Sequence, residues 1–277
     1  MEERIVKLFA KTGPVVELDE GSVLDIRSLT VNGVDLAPGR AIPDDGDPRI
    51  DHSLEGFMFT CGPDHIRHPE PLADGSGRYP LHGSFSSHPA KMIEASETEC
   101  TAEIAVFHAD GGQSRLTRNW RIDAETGTVF LSDRLTNTGD AAFPAMLMYH
   151  MNIAAKLFDD AVRLEGDMLA GGGFGWRFGE EPGGVFCVSA TAGGDGWAEM
   201  RLGPIASIGG LTLTVRFDTQ TLPHLQIWRN QQAPANVLGI EPVSHRWIGR
   251  QELADAGELD MLAPGESRQY QLSFSFA

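Results

Sequence analysis

Every second residue is apolar in the stretch Leu211-Thr212-Leu213-Thr214-Val215-Arg216-Phe217, and the same alternation returns in Tyr270-Gln271-Leu272-Ser273-Phe274-Ser275-Phe276. Successive side chains of a β-strand point to opposite faces of the sheet, so this period of two predicts strands with one buried face. Weaker versions of the pattern occur at 104–108, 116–122 and 129–135. The signal for strands therefore extends along the chain.

Turn-forming residues separate these runs, as in Gly111-Gly112, Asn137-Thr138-Gly139-Asp140 and Ala263-Pro264-Gly265. Helical periodicity is nearly absent, and the best candidate for a helix is the short segment 248–256. Many strands without alternating helices indicate an all-β protein, either a large antiparallel sandwich or a barrel, rather than a parallel α/β sheet.

The composition is that of a globular protein. Hydrophobic residues make up 41% and charged residues 22% of the 277 residues, which is unlike disordered and membrane proteins. No change in composition marks a linker, and the one stretch rich in proline, aspartate and glycine, 38–48, lies too near the start to separate two domains of ordinary size. We expect one domain over residues 1–277.

Neither a membrane segment nor a secretory signal is expected. No apolar run approaches the roughly 18 residues of a membrane helix, and the start Met1-Glu2-Glu3-Arg4 lacks the basic and apolar regions of a signal peptide. Cys61, Cys100 and Cys187 are widely spaced and odd in number, so they offer neither a complete disulfide framework nor a paired zinc motif. These features predict a cytoplasmic protein with reduced cysteines.

The formal net charge of −17 argues against sequence-independent binding of nucleic acid. A polyanion would be repelled, and no dense patch of lysine and arginine is present to release counterions. Neutral small molecules fit this charge better as substrates.

Two histidines have neighbours that suit a binding site. His82 precedes Gly83, which permits unusual dihedral angles or the close approach of a ligand, although a loop histidine without a task has the same pattern. His150 follows the strand-like apolar run 143–148, and a histidine at the end of a rigid strand suits proton donation near neutral pH. The alternative for His150 is a core histidine bonded to a neighbouring carbonyl.

A third segment combines an aromatic side chain with amides. Alternation over 224–230 places Gln226 and Trp228 on one face of a strand. An aromatic face packs against the C–H groups of a pyranose ring, and an amide exchanges hydrogen bonds with hydroxyls, so this face suits a sugar. Trp228 as an ordinary core residue is the alternative.

Glu241 follows the apolar residues 237–240 and precedes Pro242, which we expect to end regular strand pairing. Partial burial of a carboxylate at such a strand end would raise its pKa and make it a base near neutral pH. The alternative is a glutamate exposed to solvent.

Taken in order along the chain, these segments resemble the aldose 1-epimerase (galactose mutarotase-like) family. The motifs in this sequence are Leu81-His82-Gly83, Tyr149-His150-Met151-Asn152, Leu225-Gln226-Ile227-Trp228 and Gly239-Ile240-Glu241-Pro242. The chain is most similar to the bacterial aldose 1-epimerase-like branch of unassigned function, which has a similar Thr60-Cys61-Gly62-x-Asp64 stretch. The motifs are short, so the specificity of the resemblance lies in their joint order and spacing.

The resemblance implies a large antiparallel β-supersandwich, in agreement with the alternation. It also implies a reaction in which a glutamate removes the proton of the anomeric hydroxyl while a histidine protonates the ring oxygen; the ring opens, the aldehyde rotates and the ring recloses. Glu241 matches the base, His150 the acid, and His82 the histidine that binds near the ring oxygen. No metal and no organic cofactor is implied.

The residues that bind the rest of the sugar are matched less closely. Characterised mutarotases have an Asn-Arg pair in an early loop, where this chain has Asp64 and Arg67. We expect these two side chains, together with Asn152, Gln226 and Trp228, to bind the substrate.

Two other functions fit the same residues. One is carbohydrate binding without turnover, and the other is a cupin-like, metal-dependent sugar isomerase that uses His82, His88 and a carboxylate. The spacing of these histidines matches no strong metal signature, which ranks the isomerase last. The sequence allows a homodimer formed through a sheet face or edge, but no run of residues specifies one.

Overall fold

The computed structural model describes residues 5–43, 46 and 49–277. The opening residues Met1 to Arg4, and residues 44–45 and 47–48 of the proline- and aspartate-rich stretch, lie outside the described residues. The strands of the described part are, in chain order, β1 (Ile5–Leu8), β2 (Val15–Asp19), β3 (Asp25–Val31), β4 (Val34–Asp35), β5 (Met58–Cys61), β6 (Lys91–Ala95), β7 (Glu99–Phe107), β8 (Gln113–Ile122), β9 (Val129–Asn137), β10 (Phe143–Pro144), β11 (Met148–Ala154), β12 (Arg163–Glu165), β13 (Gly173–Gly175), β14 (Gly183–Ser189), β15 (Trp197–Ile205), β16 (Leu211–Asp218), β17 (His224–Asn230), β18 (Val237–Val243), β19 (Met261–Leu262) and β20 (Ser267–Phe276).

The helices of the described residues are short. They are α1 (Ile50–Ser53), α2 (Arg250–Asp255) and single 3-10 turns at Phe85–Ser87, Ala155–Leu157, Ala170–Gly172 and Ala206–Ile208. The predicted helix near 248–256 is confirmed as α2, which starts after Gly249 because the backbone of that glycine is extended. None of the helices in this part of the chain combines the length and the apolar character that crossing a membrane requires.

Most of the strands form two large antiparallel sheets, and β10 and β19 pair with each other in a small separate one. One, which we call the site sheet, has the strand order β1-β2-β3-β5-β11-β18-β17-β14, with β4 paired to β3. The other, the back sheet, has the order β13-β12-β15-β16-β20-β9-β8-β7-β6. The predicted all-β antiparallel supersandwich is thus confirmed, and the five stretches with a period of two fall on β16, β20, β7, β8 and β9, with His108 one residue beyond the end of β7.

Apolar side chains from the facing sides of the two sheets form the main core. Tyr149 and Met151 of β11 contribute to it from the site sheet, and Leu213, Val215 and Phe217 of β16 from the back sheet, all without exposure to solvent. Burying a side chain of this size stabilises the fold by about 1.5–3 kcal/mol. The alternation in the sequence therefore marks the face of each strand that lies between the sheets.

The opposite face of the site sheet is covered at its margins by loops and by the two helices. Ile50 of α1 and Leu253 of α2 belong to a second apolar cluster on this face, which also contains Phe59 of β5, Met148 of β11 and Val243 of β18. The residues that alternate with the core positions of β11, β17 and β18 point to this side. The candidate site lies there.

Two predicted strand boundaries are wrong. His150 lies inside β11 rather than after the run 143–148, of which β10 takes only Phe143–Pro144. The strand β18 continues through Pro242, which is paired with Leu225, so Glu241 also lies within a strand. A proline removes one N–H donor from a ladder, and the bonds on either side of it hold the strand in place.

A buried polar network joins the two sheets through the core. Arg118 of β8 binds Asp133 of β9 at 2.6 Å, Asp25 of β3 at 2.9 Å and the Thr60 hydroxyl of β5 at 2.8 Å. Tyr149 of β11 donates to the same Asp133 at 2.8 Å. All five side chains are buried. The network holds β5 and β11, which carry part of the candidate site, in position over the back sheet.

Candidate active site

Three neighbouring strands of the site sheet bring together residues that are far apart in sequence. The outer face carries His150 from β11, Glu241 from β18, and Gln226 and Trp228 from β17. Gln226 is the direct cross-strand partner of Glu241, and Trp228 is the partner of Gly239. Since partners across an antiparallel pair lie side by side on one face, this register alone brings an amide, a carboxyl and an aromatic ring together.

His150 and Glu241 form a buried contact. The imidazole Nε2 lies 3.2 Å from Oε1 of the carboxyl, and the two side chains are 6% and 0% exposed. Burial raises the pKa of Glu241 to about 8, although the hydrogen bond from Gln226 and the charge of Arg67 act to lower it. Burial lowers the pKa of His150 to about 3, although the nearby side chain of Asn152 acts to raise it. Between these values the pair carries one proton and no net charge.

A chain of two hydrogen bonds connects Glu241 to a cation. The amide Nε2 of Gln226 donates to Oε2 of Glu241. The amide oxygen of the same Gln226 accepts a hydrogen bond from Nη1 of Arg67 at 2.6 Å. Nη2 of Arg67 donates to the backbone carbonyl of His245 at 3.1 Å. The amide is thereby fixed in orientation, with its donor toward the carboxyl and its acceptor toward the guanidinium.

Aromatic rings surround the imidazole of His150. Phe59 of β5 stacks on it with ring centroids 4.5 Å apart, and Trp228 approaches it edge-on at 5.5 Å. Phe59 also contacts His82, whose ring centroid lies 5.5 Å from that of His150. Trp228 is partly exposed, so its ring offers an open apolar face beside the acid–base pair.

The loop that carries His82 is held in an unusual conformation. His82 has a positive φ of 62°, a region that residues other than glycine seldom adopt, and Gly83 follows at 83°. A Cβ at Gly83 would lie 2.0 Å from the carbonyl oxygen of His65, so only glycine fits there. The backbone of His82 bonds to Arg67 and Gly62 at 2.9 and 2.8 Å. These contacts bring the imidazole of His82 to the site from outside the site sheet.

His82 and Asn152 present unpartnered polar atoms near His150. Nδ1 of His82, Nδ1 of His150 and Oδ1 of Asn152 are buried without a hydrogen-bond partner. Burial lowers the pKa of His82 well below its ordinary value, with repulsion between its charged form and that of the nearby His150 as a second cause. The imidazole of His82 is therefore neutral near pH 7, so one ring nitrogen can donate a hydrogen bond and the other can accept one.

Asp64 lies apart from this group. Its carboxylate accepts three hydrogen bonds, from the backbone and the hydroxyl of Ser84 at 3.0 and 2.7 Å and from the backbone of Ala109 at 2.8 Å. These donors fix the loop that precedes Arg67.

Of the residues expected at the site, the structure brings together His82, Arg67, His150, Asn152, Gln226, Trp228 and Glu241.

Three residues at the site carry no signal in the sequence. Phe59 is an apolar strand residue, and only the pairing of His150 with Phe59 across β11 and β5 shows its role. His245 acts through its backbone carbonyl, which any residue would provide. Gly239 makes room for the carboxyl, because a Cβ there would lie 2.3 Å from Oε1 of Glu241.

The histidine pair that would serve a metal-dependent isomerase is not arranged for that role. Nδ1 of His88 lies 2.7 Å from the carbonyl oxygen of Ser84, and Nε2 accepts a hydrogen bond from the backbone of Phe107 at 3.0 Å. Both ring nitrogens of His88 are thus used within the fold. In the described part of the chain, no three His, Cys, Asp or Glu side chains are grouped so as to hold a metal ion.

Comparisons with known proteins agree with the fold. A family model described as a domain of unknown function, DUF4432, matches residues 33–168 and 180–276. No curated protein matches the sequence.

Solved structures with the same fold come from bacteria and from an animal. A protein of Klebsiella pneumoniae, provisionally named an aldose 1-epimerase, is 17% identical with a TM-score of 0.78, over 99% of this chain and 79% of the other. A galactose mutarotase-like protein of Lactobacillus casei is 13% identical with a TM-score of 0.71, over 99% and 100% of the two chains. A GalM/aldose epimerase homologue of C. elegans is 13% identical with a TM-score of 0.68, over 99% of each. At these identities the likeness establishes the fold alone.

Proposed function

The chain belongs to the DUF4432 family of domains of unknown function, and we propose that it interconverts the anomers of a free sugar by acid–base opening and closing of the ring. The observation that carries the proposal is the buried contact of His150 with Glu241 at 3.2 Å. Ring opening needs one group that accepts a proton and one that donates a proton at the same pH. A pair that shares one proton meets both needs.

In the proposed reaction Glu241 accepts the proton of the anomeric hydroxyl while His150 donates a proton to the ring oxygen. The bond between the anomeric carbon and the ring oxygen breaks as the carbonyl forms, so that no proton is gained or lost overall. Rotation about the adjacent carbon–carbon bond exposes the other face of the aldehyde. Closure then reverses both proton transfers and returns the pair to its starting state.

The starting state requires the shared proton to move from the carboxyl to the imidazole. Burial favours the neutral arrangement, in which Glu241 holds the proton. The arrangement with carboxylate and imidazolium has the same number of protons, so it is reached by moving one proton from Glu241 to His150, with no net exchange with solvent. Gln226 donates a hydrogen bond to the carboxyl, which stabilises the carboxylate form during the reaction.

The surrounding side chains support a sugar as the ligand. Trp228 offers a partly exposed ring on which the C–H groups of a pyranose can pack. His82 and Asn152 have unpartnered polar atoms that can bond to the ring oxygen and hydroxyls. Asp64 is not included in the proposed binding set, because the fold already uses its oxygens.

The proposal is tested by following anomer exchange in a panel of pentoses, hexoses and uronic acids by NMR, with and without a chelator. For the best substrate, we expect Glu241→Gln and His150→Ala each to lower kcat/KM by about 10²–10⁴-fold, the usual contribution of positioned acid–base groups. Glu125→Gln, which changes the same side chain at an exposed turn, is the matched control and should keep the full rate.

The other outcomes are distinct. Saturable sugar binding with no exchange above the uncatalysed rate would identify a carbohydrate-binding protein without turnover. Exchange that is abolished by the chelator would identify a metal-dependent isomerase. Full activity in both Glu241→Gln and His150→Ala would refute the assigned roles.

A further inference from the structure

Arg67 is a cation at the site whose hydrogen-bond partners are all neutral. Nη1 binds an amide oxygen and Nη2 a backbone carbonyl, while Nε is buried without a partner. No carboxylate within ion-pair distance of Arg67 occurs among the residues that the structure describes. Arg246, by contrast, is paired with a carboxylate: its Nε and Nη2 donate hydrogen bonds to the two carboxylate oxygens of Glu258.

The charge of Arg67 is also uncompensated by the acid–base pair. His150 and Glu241 together hold one proton, so their net charge is zero whichever group carries it. His82 is neutral as well, because its ring is desolvated. Arg67 is thus a cation without an ion-pair partner among the described residues, with Glu70 acting on it only at longer range, within a molecule whose formal net charge is −17. Partial burial of Arg67 strengthens the effect of this charge on a ligand, because solvent screens it less.

We propose that the sugar handled at this site is a sugar acid, whose carboxylate is bound by Arg67. This inference rests on the proposed function and names its substrate class. It replaces the expectation of a neutral substrate that the overall charge suggests, because the site holds a cation whose hydrogen-bond partners are all neutral. A planar guanidinium matches the geometry of a carboxylate, and Nη1 and Nη2 of Arg67 each keep one N–H beyond the bond that they make within the fold.

A carboxylate fits the site better than a phosphate. A phosphate carries up to two negative charges and is usually bound by several donors of positive charge. The other basic groups at the site, His82 and His150, are kept from protonation by burial. The single positive charge of Arg67 therefore matches the single negative charge of a carboxylate.

The test compares each uronic acid with its neutral counterpart. kcat/KM for anomer exchange is measured by NMR for D-galacturonate against D-galactose and for D-glucuronate against D-glucose. Because a charge-assisted hydrogen bond contributes about 1.5–3 kcal/mol, the wild-type protein should favour the acid by about 10- to 100-fold in at least one pair. Arg67→Gln should reduce this preference to near one, because the rate with the acid should fall by more than the rate with the neutral sugar. Arg67→Lys, which keeps the charge, should retain part of it.

Arg115→Gln is the matched control for these variants. Arg115 is exposed on β8 of the back sheet, so its loss changes the net charge equally and should leave the preference for the acid intact. Thermal unfolding of each variant verifies that Arg67→Gln is folded. If Arg67→Gln does not fold, Arg67→Lys decides the question. A preference for the acid that Arg67→Lys retains supports recognition of the carboxylate by charge, and complete loss of this preference in a folded Arg67→Lys protein refutes it.

The inference and the proposed function fail in different ways. Exchange of neutral sugars at an equal or higher kcat/KM would overturn the sugar-acid inference and leave the proposed function in place. Absence of exchange with every sugar would overturn the proposed function. In that case calorimetric titration with the two uronic acids decides the inference: saturation that Arg67→Gln abolishes supports it, and no binding refutes it.

Discussion

Burial sets the pKa values of His150 and Glu241 so that the two side chains together hold one titratable proton over a wide range of pH, and this governs how the proposed rate should depend on pH. The pKa of Glu241 is raised from 4.5 to about 8, so the carboxyl holds its proton up to that pH. The pKa of His150 is lowered from 6.5 to about 3, so the imidazole does not take up a second proton above that pH. Between the two values the pair has one proton to give and one site to receive it.

We therefore expect kcat/KM to be constant between about pH 5 and 7 and to fall about tenfold per unit above about pH 8, where the pair loses its only proton. The rate with Glu241→Gln, measured at each pH, corrects for uncatalysed exchange. A corrected kcat/KM that rises steadily through pH 8 would contradict a shared proton and indicate a carboxylate with an ordinary pKa.

Adjacent strands set the position of the carboxyl through their register. Trp228 of β17 lies opposite Gly239 of β18, and Gln226 lies opposite Glu241. Gly239 has no side chain between the tryptophan and the carboxyl, and a Cβ there would lie 2.3 Å from Oε1 of Glu241 and 3.3 Å from Cβ of Trp228. The glycine in the middle of this strand is therefore explained by the space that the carboxyl occupies.

Gly239→Ala should displace the carboxyl of Glu241 from His150 and lower kcat/KM by about 10- to 100-fold, since small errors in position cost this much in an acid–base site. The change in the free energy of unfolding should stay within about 1 kcal/mol, because alanine is the better strand residue and the atom it meets is the end of a flexible side chain. Kinetics and urea unfolding measure the two effects.

Gly175→Ala is the control for this substitution. Gly175 ends β13, and a Cβ there would have no neighbour within 4 Å, so both activity and stability should be unchanged. A Gly239→Ala protein with full activity would show that the position of the carboxyl is not set by this glycine.

Across the whole molecule, the Arg118 network connects the back sheet to the strands that carry the site. Arg118 is buried with Asp25 on one side and Asp133 on the other, and Asp133 also accepts from Tyr149, the neighbour of His150 in β11. Burial raises the pKa of Asp25 to about 7 even with Arg118 beside it. The removal of the cation leaves Asp133 in the core without its charge partner, which is strongly unfavourable.

Arg118→Met should lower the free energy of unfolding by about 3–5 kcal/mol, the usual cost of breaking a buried ion pair. Urea unfolding followed by tryptophan fluorescence measures it. Arg115→Gln, three residues earlier and exposed on the same strand, should change the free energy by less than about 0.5 kcal/mol. A comparably small change in Arg118→Met would mean that the network contributes little to holding the sheets together.

Much of the fold could be predicted from local patterns. Alternation of apolar residues predicts β16 and β20 because the two-residue period of a strand is a property of the strand itself. The same argument assigns Gln226 and Trp228 to one face of β17. Where a strand begins or ends is less local, and for this reason His150 and Glu241 were expected at strand ends and lie inside β11 and β18.

The sequence by itself determined that the chain is a large antiparallel all-β protein and which of its residues could act as an acid or a base. Only the tertiary structure decided that β11, β18 and β17 are neighbours, that Arg67 reaches Gln226 across 159 residues, and that Ser84 and Ala109 occupy the carboxylate of Asp64. The physical reason is that the faces of a strand follow from its own residues, whereas strand order and register depend on the packing of the whole chain. The burial that shifts the pKa values of His150 and Glu241 arises from the same packing, so these shifts could not be predicted from the sequence.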